Sequence, residues 1–173
     1  CPTFPIDQVW EHSVQTGVLA QRIFGQHLSE SLGTEQAFCA GILHDIGKII
    51  LADGLPEEYA AVLKESRETR TPLVEVERKH FQATHAEVGA YLLALWGLPI
   101  PLVEAVANHH HPRHCGTQEL CLAGVVHMAN ALQHVQTVHP DMVPSPVDME
   151  YLNFLGFTEQ FEAWRAEIAA KNG

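Results

Sequence analysis

Twelve of the 173 residues are histidine, against ten lysines and arginines together. Neutral imidazole is the commonest protein metal ligand and the side chain that titrates near neutrality. Where these residues stand therefore decides what chemistry is open to the chain. His44 is followed directly by Asp45, and His109 by His110. His12 and His85 lie within or beside apolar segments rather than in polar loops. An imidazole and carboxylate set suits Fe, Mn, Ni or Zn. The alternative is structural: a core His44 satisfied by a core Asp45, because a buried polar group without a partner is costly. A single such histidine is more often structural than a ligand. Five of them, at helix ends and on core faces together with an aspartate, are harder to explain as independent accidents.

The segments that must position these residues read as helices. Val14, Val18, Leu19 and Ile23 form one apolar stripe at helical spacing, and Val88, Leu92, Leu95 and Trp96 form another. Val125, Val126, Ala129 and Leu132 form a third. Phe38, Ile42, Ile46, Ile49 and Ile50 predict one helix from Thr34 to about Leu51, with His44 and Asp45 inside it. Thr84-His85-Ala86-Glu87 has the form of a capping box and places His85 at the first helical position. Gly97 and Pro99 end that helix, and the next begins near Pro101 and closes by about His110, ahead of Pro112. Shorter helices are expected over Glu57–Arg67, Leu73–His80, Met149–Leu155 and Glu159–Ala170. Strand-length alternation is absent. The expected fold is all-α, with about eight or nine helices. Residues 1–134 are read as the helical core, 135–147 as a Pro-rich connection, and 148–173 as C-terminal helices packing on the same domain.

Composition narrows the function further. Hydrophobic residues make up 46% and charged residues 18%, which excludes a largely disordered chain. The formal net charge is −11, the wrong sign for a non-specific nucleic-acid binder or an anionic membrane surface. The longest uncharged run, Val88 to Val103, contains Pro99 and Pro101 and is too short to span a bilayer. Four cysteines are too few for a disulfide scaffold of this length, so a reducing, cytoplasmic setting is expected. The chain opens with Cys1-Pro2 rather than Met, which is read as a part of a longer protein.

The motifs together resemble the HD superfamily of metal-dependent phosphohydrolases, and most closely its HDOD branch. The residues that carry the resemblance are Trp10-Glu11-His12-Ser13, the run from Ala37 to Lys48, His85-Ala86-Glu87-Val88-Gly89-Ala90, Trp96-Gly97-Leu98-Pro99, the run from Ala107 to Pro112, and Met128-Ala129-Asn130-Ala131-Leu132. The resemblance implies an HD-type helical bundle and a site for one or two divalent ions (Fe, Mn, Ni or Zn). It places one ion on His12, His44, Asp45 and Asn130, and a second on Asp45, His85, His109 and His110. It assigns Asp45 a bridging, catalytic role and Lys48 a phosphate-facing one. Such a site would hydrolyse a phosphate ester with a water acidified by the ion. Two departures stand out. Asn130 replaces the Asp of catalytic members and contributes no negative charge. The Gly-Tyr-Pro stretch of the cyclic-di-GMP phosphodiesterases is absent, which argues against that activity.

Three functions follow as expectations. The first is a regulatory HDOD module, the output or sensing domain of a larger bacterial signalling protein with a signalling domain upstream. The second is an active phosphohydrolase on a nucleotide or another phosphate ester. The third is a helical scaffold without metal. A phosphate-containing ligand and a homodimer are left open. His111, His114, Cys115 and Cys121 are read as a surface loop, and Glu75 and Glu77 fit both the HDOD pattern and a solvated helix face. His27, His80, His127, His134 and His139 have no evident ligand set.

Overall fold

The computed structural model describes residues 4–27, 31–136 and 143–171. Cys1, His139 and the central part of the Pro-rich connection lie outside them. The described residues form α1 (Ile6–His27), α2 (Ser31–Leu43), α3 (Ile46–Gly54), α4 (Pro56–Thr69), α5 (Leu73–Phe81), α6 (His85–Leu95), α7 (Ile100–Asn108), a 3-10 turn (Pro112–Cys115), α8 (Leu122–Gln136), α9 (Met149–Leu155) and α10 (Thr158–Lys171). No strand occurs among them, and no helix is long and apolar enough to cross a membrane.

Three apolar clusters hold the bundle. Ala20, Ile23, Ala37, Val125, Leu132, Leu152 and Phe161 join α1, α2 and α8 to the C-terminal helices. Ala40, Leu93, Leu102, Val106 and Val126 join α2, α6, α7 and α8. Leu51, Tyr59, Val62, Leu63, Leu73 and Val76 join α3, α4 and α5. Burying a side chain the size of Leu152 or Phe161 contributes about 1.5–3 kcal/mol, so α9 and α10 are stitched to the rest by their own apolar faces.

The helix expected across Thr34 to Leu51 is instead two. Its first half is locked to α1 and its second to α6, and these partners pull in different directions. On the α1 side, a Cβ on Gly41 would lie 2.6 Å from the Gly17 Cα, so the two glycines let the backbones of α1 and α2 meet. On the α6 side, a Cβ on Gly47 would run into the His85 carbonyl oxygen. The chain changes direction at His44 and Asp45, where Asp45 has φ −101° and ψ 9°, in the sparsely used bridge region. Thr34 accordingly lies inside α2 and does not cap it.

Elsewhere the boundaries follow local chemistry. The Thr84 hydroxyl accepts from the Glu87 N–H, while the Glu87 carboxylate accepts from the Thr84 N–H at 2.8 Å, closing the expected capping box. The Asp148 carboxylate caps α9 by accepting from the Tyr151 N–H at 2.9 Å. Gly97 and Gly156 close α6 and α9 with φ of 73° and 75°, the left-handed region that a Cβ disfavours.

Candidate metal centre

All seven residues of the expected ligand set meet in one buried place. His12 comes from the middle of α1, His44 and Asp45 from the α2–α3 turn, and His85 from the first position of α6. His109 and His110 follow the end of α7, and Asn130 stands on α8. The turn at His44 is what brings two adjacent residues to one point. In an unbroken helix, successive side chains diverge by about 100°. Here the His44 Nε2 lies 3.3 Å from Asp45 Oδ2.

Asp45 sits at the centre, and its two oxygens face different ways. Oδ2 lies 3.9 Å from His12 Nε2, 3.3 Å from His44 Nε2 and 2.6 Å from the Lys48 ammonium, which donates to it. Oδ1 lies 3.2 Å from His85 Nε2 and 3.9 Å from His109 Nε2, and no hydrogen bond reaches it. Burial alone would raise the Asp45 carboxyl. The His44 and Lys48 side chains outweigh that effect and hold it well below the usual carboxylate range. Asp45 is therefore a buried anion.

Backbone and carboxylate acceptors settle the tautomers of three rings. His44 Nδ1 donates to the Gly41 carbonyl at 2.6 Å, and His109 Nδ1 to the Val106 carbonyl at 2.7 Å. His85 Nδ1 donates to Glu77 Oε2 at 2.7 Å. Since these acceptors carry no proton, the opposite nitrogen of each neutral ring presents a lone pair to the centre. The Nε2 atoms of His44 and His109 are buried and have no hydrogen-bond partner. His110 Nε2 and His85 Nε2 stand 3.0 Å apart. Since His85 Nδ1 carries the proton given to Glu77, His110 Nε2 is the donor of this hydrogen bond and His85 Nε2 the acceptor. His85, His109 and His110 offer ligand atoms within 4.8 Å of one another, as do His12, His44 and Asp45. Unpartnered buried acceptors converging on a carboxylate are what a divalent cation needs, so the donor set fits such an ion.

The electrostatics favour neutral rings over most of the site. Burial lowers His12, down to about 2, with His44 adding to the effect. Burial likewise pushes His109 and His110 well below the ordinary histidine range, each helped by neighbouring imidazoles. His85 goes the other way: burial opposes its charged form, but the Glu77 and Asp45 carboxylates together outweigh burial and raise it.

Glu77 is the residue that sequence reasoning left undecided between the HDOD pattern and a solvated face. It is fully buried, whereas Glu75 is exposed. Its carboxylate accepts from His85 Nδ1, from the His85 N–H at 2.8 Å and from the Tyr59 hydroxyl at 2.9 Å. It thereby fixes the orientation of His85 and raises its basicity, the usual service of a carboxylate behind a ligating histidine. A signal was available. Leu73, Val74, Val76 and Glu77 share one face of α5 at helical spacing, so Glu77 stands on the apolar side. His127 is likewise structural. Its Nδ1 donates to the His109 carbonyl at 2.8 Å, and its Nε2 accepts from the Asp148 N–H at 3.0 Å. His134 stacks on His12, with ring centroids 4.7 Å apart. The ring centroids of His111, at the start of the 3-10 turn, and His114, within it, lie 5.5 Å apart, and the two join no cluster of metal-ligating groups among the described residues.

A family model described as HDOD domain matches residues 2–112. An uncharacterised protein of Treponema pallidum (strain Nichols) is 26% identical over 123 residues, which are 71% of this chain and 24% of that protein. An HDOD domain protein with unknown function from Geobacter sulfurreducens has a TM-score of 0.72 at 18% identity, over 95% of this chain and 61% of its own. The MmoQ response regulator of Methylococcus capsulatus str. Bath has a TM-score of 0.63 at 23% identity, over 96% of this chain and 62% of its own. The solved structures share the fold at these identities. This chain spans about a quarter of the Treponema relative's length and about three fifths of each solved chain.

Proposed function

The chain belongs to the HDOD domain family, and from that premise we propose that it is a regulatory signal-transduction module built around an HD-type metal site. The observation that carries the reading is the unpartnered pair of buried acceptors, Asp45 Oδ1 and His109 Nε2, beside the converging His85 and His110 nitrogens. The response-regulator relative supports the signalling half of the reading. In a larger signalling protein, the module would serve as an output or sensing domain attached to a signalling domain, within the cytoplasm.

A bound divalent ion would supply Lewis acidity towards a phosphoryl oxygen and a fixed positive charge. The protein's own part is to hold the rings. Glu77 orients His85, and the Gly41 and Val106 carbonyls orient His44 and His109. A second reading, phosphate-ester hydrolysis, is favoured by an open cleft of about 490 Å³ whose wall includes His110, Arg78, Thr84 and Ser145. Lys48 does not face that cleft as a lone charge, since it is buried and paired with Asp45.

Elemental analysis of protein purified without chelator tests the metal site. At least one equivalent of a divalent ion is expected, with a fall in melting temperature when a chelator removes it. Absence of metal, with no thermal response to added Mn or Fe, would overturn the proposal. Assay of the loaded protein against phosphomonoesters and cyclic dinucleotides then separates the readings. Turnover that disappears in His109→Ala would establish hydrolysis.

A further inference from the structure

We infer that this chain holds a single ion, on His85, His109, His110 and Asp45 Oδ1, and that the Lys48 ammonium stands in for a second ion on the opposite side of Asp45. The inference rests on the metal-site reading above and adds the stoichiometry and the side.

The two halves of the centre are built from similar residues but are chemically unlike. On the His85 side, Asp45 Oδ1 and His109 Nε2 have no partner, and His110 Nε2 donates to His85 Nε2 at 3.0 Å, a proton that an ion would displace. On the His12 side, the corresponding atoms are engaged. Asp45 Oδ2 accepts from the Lys48 ammonium at 2.6 Å, and Lys48 is itself only 6% exposed. His12 Nε2 lies 2.9 Å from Asn130 Oδ1. An amide oxygen offers only lone pairs, so His12 Nε2 is the donor, and a proton stands where a ligating lone pair would be needed. Two acceptors without a partner are left there, His44 Nε2 and His12 Nδ1, but the carboxylate oxygen between the rings is taken by Lys48.

Charge points the same way. The buried carboxylates at the centre are Asp45 and Glu77, and Lys48 brings one positive charge. One divalent ion leaves this solvent-poor region at a net charge of +1, whereas two would leave it at +3. Like charges repel more strongly there than in water. Asn130 removes the anion that would offset the second ion, and Lys48 already neutralises the oxygen it would use. The two features reinforce each other: a neutral amide lowers the demand for a cation, and the ammonium meets what remains.

The test is metal content after buffer exchange, using Mn²⁺ alone as the probe, on wild type, His12→Ala and His109→Ala. One equivalent is expected in wild type and His12→Ala, and about none in His109→Ala. Electron paramagnetic resonance of the wild type needs no variant to fold: a single bound Mn²⁺ gives a six-line spectrum without the coupling of two ions about 3.5–4 Å apart. The double variant Lys48→Met/Asn130→Asp is expected to gain a second equivalent with a coupled spectrum. Two coupled ions in wild type would overturn the inference and leave the metal-site reading intact. So would one ion lost in His12→Ala but kept in His109→Ala. No bound ion in wild type would overturn the metal-site reading itself, and the inference with it.

Discussion

Replacing Glu77 separates the two jobs of a carboxylate behind a ligand. In the native chain it accepts three hydrogen bonds at 2.7, 2.8 and 2.9 Å, two of them from His85 and one from Tyr59. Glu77→Gln keeps the shape and an oxygen for His85 but loses the charge that makes the far nitrogen of that ring basic. Loss of such a partner lowers metal affinity by about 10–100-fold, equivalent to about 1.4–2.7 kcal/mol. The metal-free protein should suffer less, under about 2 kcal/mol, because removing a buried charge offsets the weaker bonds. Glu77→Ala strips all three donors of their acceptor in a fully buried place. At about 1–3 kcal/mol for each orphaned group, the loss is at least about 3 kcal/mol. For a domain of this size that lowers the melting temperature by at least about 6 °C. Calorimetric titration with Mn²⁺ measures the first effect, and thermal unfolding in chelator measures the second. Affinity of Glu77→Gln within twofold of wild type, or a Glu77→Ala melting point within 2 °C of it, would refute the reasoning.

Further outcomes follow from other contacts. Gly47→Ala drives a methyl group into the His85 carbonyl, where backbone cannot yield cheaply; a loss of about 3 kcal/mol in chemical denaturation is expected, and a loss under 0.5 would contradict the close packing of α3 on α6. Asp45→Ala leaves Lys48 buried without its partner, at a cost of about 3–5 kcal/mol. The added change Lys48→Met should restore part of that loss, and strict additivity in a double-mutant cycle would show the pair to be uncoupled. Arg113 holds the Asp148 carboxyl below its ordinary range, with the Tyr151 N–H helping and burial opposing. A carboxyl with a lowered folded-state pKa stabilises above its unfolded value, about pH 4, and loses that contribution as pH falls through the folded value. Arg113→Ala should therefore move the midpoint of acid unfolding upwards, as followed by circular dichroism, and an unchanged acid limb would remove the assigned role.

Periodicity and capping chemistry are local, and what depends on them was legible in the chain. The helical character of the described residues, the Thr84 box that sets His85 at a helix start, and the stop at Gly97 and Pro99 each follow from neighbours a few residues apart. The identity of the histidine and aspartate set was legible too, because apolar surroundings betray polar residues that need partners. Spacing along the chain could not reveal which partners they take. His12 and Asn130 are 118 residues apart in sequence and 2.9 Å apart in space. The break at His44 arises because Gly41 is drawn to α1 and Gly47 to α6, and no pattern within the apolar run announces either neighbour. The division of Asp45 into one oxygen taken by Lys48 and one left open depends on the side from which each helix arrives. Burial and direction in three dimensions, rather than residue type, decide whether a buried carboxylate oxygen meets an ammonium or is left without a partner.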